Sequence, residues 1–173
     1  ILHILSHLKA LKGVAGFLLS NGALGDSDTL EIRKKLIQND KVEAIIILPR
    51  ELFITTDISV TLWILNQNKK GGEYHGRILR NREKELLFMD LRTWTENPVK
   101  NESKKKVLLS SEQIQKAAGI YHTWQSEGTD GANYGSFTAV LKRMRLKKRA
   151  GVLFPASISS SLTMIWKSTM LLK

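Results

Sequence analysis

The sequence predicts an α/β fold, and specifically part of a larger sheet rather than a small complete domain. Three observations carry this. Val42–Leu48 (VEAIIIL) is a nearly continuous β-branched run ended by Pro49, the pattern of a strand covered on both faces. Ser59–Leu65 (SVTLWIL) and Glu85–Asp90 (ELLFMD) have the same buried character. Helical patterns alternate with them, and helix–strand–helix–strand–strand is the order of part of an α/β sheet with a terminal hairpin. Three buried-type strands cannot fill a doubly wound sheet, so half of such a fold is expected to lie outside these 173 residues.

Ile1–Lys12 opens the chain with Leu2, Leu5, Leu8 and Leu11 three apart and Ile4 alongside, which predicts a helix with one buried face. Gly16–Ser20 (GFLLS) is a short apolar run closed by the turn dipeptide Asn21-Gly22. Asp28 followed by Glu31 has capping-box spacing and predicts a helix over Thr29–Asn39, amphipathic through Leu30, Ile32, Leu36 and Ile37. Asn66–Gly72 breaks the strand before it. Ser110 with Gln113 starts a second capped helix, Ser111–Gln125, whose expected buried face is Ile114, Ala117, Ala118 and Tyr121. Glu127–Gly135 is a glycine-rich loop, and no internal repeat is present.

The formal charge is +11, from 27 Lys and Arg against 16 Asp and Glu, and clustered cations are what DNA phosphates reward. The charge is unevenly placed, however. Residues 1–68 carry 7 basic and 7 acidic side chains, and residues 69–140 carry 12 and 9. Residues 141–173 carry 8 basic and none acidic. Hydrophobic residues make up 42% of the chain, enough to exclude wholesale disorder. The absence of cysteine excludes disulfides, thiolate zinc sites and a Cys nucleophile, and suits a cytoplasmic protein. No basic leader precedes the first apolar stretch, and no apolar run is long enough to span a bilayer.

Generic catalytic motifs are weak. His3 and His7 share a helical face, but HILSH lacks the Glu that HExxH supplies as base, so ordinary histidines are favoured. EGTDGANYG matches neither a P-loop nor a dinucleotide fingerprint, and Lys104–Lys106 reads as a solvated loop. The most informative segment is Val42–Lys69: two hydrophobic strands joined by a polar connection with Phe53 at its rim. On residues alone, a rim aromatic of this kind either anchors the loop in the core or stacks on a ligand.

Six ordered blocks add a resemblance. His7–Lys9, Asn21–Leu24, Glu31–Ile37, Val42–Phe53, Ile58–Lys69 and Leu87–Arg92 read HLK, NGAL, EIRKKLI, VEAIIILPRELF, ISVTLWILNQNK and LFMDLR. In that order they resemble the modification (methyltransferase) subunit of type I restriction–modification systems, from Ile1 to about Trp124. The resemblance implies the distal half of a Rossmann-like S-adenosylmethionine-dependent methyltransferase sheet with a helical C-terminal region. It divides the chain into the catalytic-domain half (1–95), a helical and loop extension (96–137) and a tail (138–173).

The implied activity is methyl transfer to the exocyclic N6 of adenine in duplex DNA, with the base flipped into a pocket. Phe53 falls where the family places an aromatic against the flipped adenine, with Leu52, Thr55 and Thr56 at the pocket rim. Implied partners are DNA, a specificity subunit and a restriction subunit, with no membrane. The family's glycine-rich cofactor turn and its Asn-Pro-Pro-Phe/Tyr tetrapeptide have no counterpart in residues 1–173, where Pro49, Pro98 and Pro155 are each isolated. No catalytic or cofactor-binding residue is therefore assigned, and the chain by itself is expected to bind no S-adenosylmethionine and to be inactive. The alternative is a non-catalytic module that binds nucleic acid or a partner.

The tail departs from the family, whose members usually end in an acidic and aromatic stretch of the type KYIEFIDHDLEIDY. A one-base shift reconciles them. Read out of frame, Met164-Ile165 must give Asp and Trp166-Lys167 must give Glu, both where the family has acids. The expectation is a frame shift between about Phe137 and Arg149, leaving residues beyond it out of frame.

Overall fold

The structure, a computed structural model, describes residues 1–53, 57–94, 107–128 and 138–142. In chain order the elements are α1 (Leu2–His7), β1 (Val14–Ser20), a 3-10 turn (Asn21–Leu24), α2 (Leu30–Gln38), β2 (Val42–Ile47) and β3 (Val60–Asn66). They continue with β4 (Gly72–Tyr74), β5 (Arg77–Leu79), β6 (Glu85–Asp90), α3 (Ser111–Ser126) and β7 (Thr138–Lys142). Five strands form one mixed sheet in the order β1-β3-β2-β6-β7, and β4 and β5 form a separate hairpin.

The strand with the most uniform β-branched character lies at the centre, as its composition requires: all six residues of β2 are buried. It pairs antiparallel with β3 and parallel with β6, Ala44 through Ile47 lying opposite Leu87 through Asp90. β1 pairs antiparallel with β3 from Val14 opposite Asn66 to Ser20 opposite Val60. The sheet continues to Lys142, because β7 pairs antiparallel with β6. Thr138–Lys142 belongs to the region that the sequence reading groups with the tail.

Each face of the sheet has its own core. On one face Ile45, Ile47, Trp63, Leu65, Leu86 and Phe88 pack with Leu24 and Leu36, with Ile1, Leu5, Leu8, Ile32 and Ile37 around them. On the other, Ala44, Ile46, Leu87, Met89 and Leu91 meet Trp124, flanked by Ala117, Ile120 and Tyr121. Burying each such side chain contributes roughly 1.5–3 kcal/mol, so α3 and the α1–α2 pair are held by apolar contact.

Three expectations from the sequence are corrected. The first helix ends at His7, Leu8 is extended and Leu11 turns to φ 64°, and Leu2 and Leu11 are 56% and 72% exposed instead of on a buried face. At α2 the N-cap is Thr29 and Asp28 makes no cap, because Asp26 takes over the turn. Asp26 accepts from the Asp28 N–H and from the Thr29 hydroxyl. The buried Arg33 then donates to the Thr29 hydroxyl and to the Ala23 and Asp26 carbonyls. In α3 the capping box forms as expected, but the packed face is Ala117, Ile120, Tyr121 and Trp124. Ile114 is 55% exposed and Ala118 is exposed, since Trp124 sets the rotation of the helix.

Candidate functional site

In an open α/β sheet, ligands settle beyond the carboxyl ends of the parallel strands. Here that edge belongs to β2 and β6, and the chain leaving β2 is tied down before it turns. The Leu48 N–H donates to the Val60 carbonyl and the Ser59 hydroxyl donates to the Leu48 carbonyl at 2.6 Å. The Leu91 N–H donates to the Ile47 carbonyl, which joins the exit of β6 to that of β2. Pro49 is buried, so the loop begins at a fixed point.

Past Pro49 the backbone reverses at Glu51, a non-glycine residue at φ 60°. The left-handed region is held here because the Glu51 carbonyl accepts from the Val107 N–H, while Arg50 Nε donates across the loop to the Asp57 carbonyl at 3.2 Å. Phe53 and Leu52 stand at this edge, both half-buried. Thr55 and Thr56 lie outside the described residues.

Sequence reasoning did not single out Asp90 and Arg92, which complete the edge from the β6 side. Arg92 holds Asp90 in a two-point pair at 2.9 and 2.6 Å, and this carboxylate raises the guanidinium's already high pKa. Their signal was available in LFMDLR, where two opposite charges end a hydrophobic strand.

A second polar assembly occupies the opposite edge. The register between β2 and β3 shifts between Val42 and Ala44, so Glu43 is an extra residue at a bulge. A bulge re-aims its side chain, and the fully buried Glu43 carboxylate meets four groups from three other segments. Arg82 Nε donates to one oxygen at 2.9 Å. Asn66 Nδ2 and the Tyr121 hydroxyl donate to the other at 2.7 and 3.2 Å, and Gln125 adds a longer bond of 3.4 Å. Burial and the Glu43 charge drive the Tyr121 phenol pKa far above its usual value. Beside them, buried Lys69 donates to Asp40 and to the Val42 and Glu85 carbonyls, with burial lowering its pKa against the pull of Asp40.

A cleft of about 580 Å³ opens over this second edge, lined by Glu43, Arg82 and Tyr121 together with Tyr74 and Arg77 of the hairpin. Its polar floor is occupied by its own partners, so it reads as a clamp rather than a substrate pocket. The hairpin is fastened there by Arg77, whose Nη1 lies 2.8 Å from His122 Nδ1.

His3 and His7 sit exposed on α1 with ring centroids 4.3 Å apart, and His7 Nδ1 lies 2.8 Å from the His3 carbonyl oxygen. Among the described residues no group of three or more His, Asp or Glu is placed to hold a metal ion. No described helix is long and apolar enough to cross a membrane.

The described residues also do not fit an S-adenosylmethionine cradle. β1 runs into a 3-10 turn whose Gly22 is not in the left-handed region, and among the described residues the positive-φ glycines are Gly71, Gly72, Gly76 and Gly128, in and around the hairpin and after α3.

The architecture is that of methyltransferase subunits. A crystal structure of a type I restriction–modification methyltransferase subunit from Streptococcus thermophilus superposes with a TM-score of 0.63 at 22% identity, over 82% of this chain and 25% of that one. A chain from a study of complex assembly and conformational transition in the type I system gives 0.55 at 16% identity, over 98% of this chain and 36% of that one. At these identities the likeness concerns the fold.

The sequence goes further: the chain belongs to the N-6 DNA methylase family, whose model matches residues 1–150. It is 34% identical over 128 residues to the methylase subunit of the type I restriction enzyme HindI from Haemophilus influenzae, covering 72% of this chain and 25% of the relative. It is 31% identical over 157 residues to the MjaIX methylase subunit from Methanocaldococcus jannaschii, covering 90% of this chain and 26% of the relative. The chain thus spans about a quarter of the length of the curated relatives it matches.

Proposed function

We propose that the chain is the distal part of the catalytic domain of a type I DNA methyltransferase subunit that transfers a methyl group from S-adenosylmethionine to adenine N6. In this reading Phe53 stacks on the flipped adenine, and Leu52, Thr55 and Thr56 line the rim of its pocket. The observation that carries it is the placement of Leu52 and Phe53 at the carboxyl edge of parallel β2 and β6, on a loop anchored at both ends. An aromatic held there offers a flat apolar face to a base leaving the duplex.

The same reading assigns cofactor binding and amine polarisation to polypeptide outside these residues, so the chain alone neither binds S-adenosylmethionine nor methylates. β1 offers a seam for that polypeptide. Among the described strands it lies at the edge of the sheet, carries no charge and no proline, and its Val14 and Leu18 are each 46% exposed. Natural sheets seldom leave such an edge open. Partners of the whole protein would be DNA, a specificity subunit and a restriction subunit, at work in the cytoplasm.

The frame-shift proposal for the tail keeps residues through Lys142 in the sheet and places the change within the interval that ends at Arg149. Reading the encoding DNA in the alternative frame tests it: an early stop there rejects it.

The direct test of the site uses the intact methyltransferase carrying this segment. Phe53→Ala should lower kcat/KM for methylation by about 5- to 150-fold, equivalent to the ~1–3 kcal/mol of base–aromatic stacking, and Phe53→Trp should retain most of it. Unchanged methylation in Phe53→Ala would remove the assignment. The competing reading is a module that binds nucleic acid or a partner without chemistry, and it requires the intact protein to transfer no methyl group.

A further inference from the structure

We propose that Arg50 contacts a DNA phosphate flanking the target base and so fixes the backbone from which that base leaves. The proposal rests on the reading of Phe53 as the stacking residue, three positions away on the same loop. Residues 1–140 hold 19 basic and 16 acidic side chains, a net charge of only +3. With so small an excess, phosphate contacts from this span depend on where individual cations stand.

Arg50 has the placement and the free donors for this. It is exposed at the carboxyl edge of the sheet, next to buried Pro49. Its Nε is engaged by the Asp57 carbonyl, which holds the base of the guanidinium still. Among the described residues its two terminal nitrogens have no hydrogen-bond or ion-pair partner, and neither Glu51 nor Asp57 forms an ion pair with it.

Arg92 is placed differently, because Asp90 already takes its guanidinium in a two-point pair. A guanidinium fixed at Nε with its terminal N–H groups free is suited to a two-point contact with phosphate oxygens. Arg50 and Phe53 lie on either side of the left-handed turn at Glu51, and in this proposal the first meets the backbone and the second the base of one nucleotide.

The test compares two variants of the intact methyltransferase on duplexes with and without its target site, titrated over a range of NaCl concentrations. Arg50→Gln keeps a donor for the Asp57 carbonyl but removes the charge, whereas Arg50→Lys keeps the charge. The expected result for Arg50→Gln is a slope of log K against log[salt] shallower by about 0.9, one phosphate's worth, with both duplexes weakened alike. Arg50→Lys should keep the native slope. A native slope in Arg50→Gln overturns the contact, whatever happens to activity. Failure of the stacking assignment is read separately, since Phe53→Ala bears on base flipping and methylation and leaves the salt slope as it is.

Discussion

The two edges of the sheet are built from similar residue types but differ in burial and in pairing. At the amino edge of β2 and β6, Glu43, Arg82, Lys69, Asn66, Tyr121 and Gln125 are buried or nearly so, and each is engaged by another group of the assembly. At the carboxyl edge Arg50 is exposed, the Asp90–Arg92 pair is partly exposed, and the backbone at Glu51 is held in a left-handed turn. Charge that is buried and matched fixes the position of elements, here the hairpin and α3. Charge that is accessible, on a constrained loop at the carboxyl edge, is available for a ligand. Charged residues alone are thus a poor pointer to function in this fold; their burial and their partners separate the two roles.

The largest effect should come from breaking the amino edge. Arg82→Met leaves the Glu43 carboxylate buried without its cation and should destabilise the chain by roughly 3–5 kcal/mol in urea unfolding. Adding Glu43→Leu should recover part of that loss, because the uncompensated charge is gone. A loss below about 1 kcal/mol for Arg82→Met would mean the clamp does not hold the fold.

Smaller is the loss of the α3 cap. Ser110→Ala removes the acceptor for the Gln113 N–H at 3.2 Å and should cost about 1 kcal/mol, again read by urea unfolding. Equal stability in Ser110→Ala would show that the packing of Ala117, Ile120 and Trp124 alone holds the helix.

The smallest effect is one of pH. Because the Tyr121 phenol pKa is raised in the folded state, its contribution is complete below its ordinary value of 10.0 and falls as pH rises beyond that. Lys69 acts in the opposite sense: its pKa is lowered from 10.5, so the unfolded chain binds that proton more tightly and stability gains as pH climbs towards 10.5. Tyr121→Phe removes the phenol's contribution and leaves that of Lys69. Between about pH 9 and pH 11 the variant should lose less stability than the parent, measured as the shift of the urea midpoint. An identical alkaline slope would place the phenol outside this linkage.

Strong local patterns carried far in the sequence. The β-branched runs identify β2, β3 and β6, and the Ser110–Gln113 spacing identifies the start of α3. Phe53 could be placed at the rim of the connection after β2 from pattern alone. Side-chain direction was less legible. Glu43 interrupts VEAIIIL, but only the bulge against β3 turns it towards Arg82 and Tyr121, and a bulge depends on pairing with a strand some 20 residues away. The β4–β5 hairpin is short and mostly exposed, so it leaves no hydrophobic alternation to read. Leu11 fits a helical period until Gly13, where a Cβ would stand 2.8 Å from Leu8 Cβ and Lys9 N, a close return of the chain that local spacing does not reveal. Ile114 and Ala118 share a helical face with Ala117 and Tyr121, and tertiary packing of Trp124 selects a neighbouring face.

The division between a structural and a functional edge is tested most directly by 2-aminopurine fluorescence. The probe replaces the target adenine in a duplex bound to the intact methyltransferase. Phe53→Ala should change the emission of the flipped base, because the ring that would stack on it is gone. A variant at the opposite edge, Tyr121→Phe, should leave that emission as in the parent at neutral pH. If Phe53→Ala gives the parent's emission, or if both variants alter it alike, the carboxyl edge is not where the base is held.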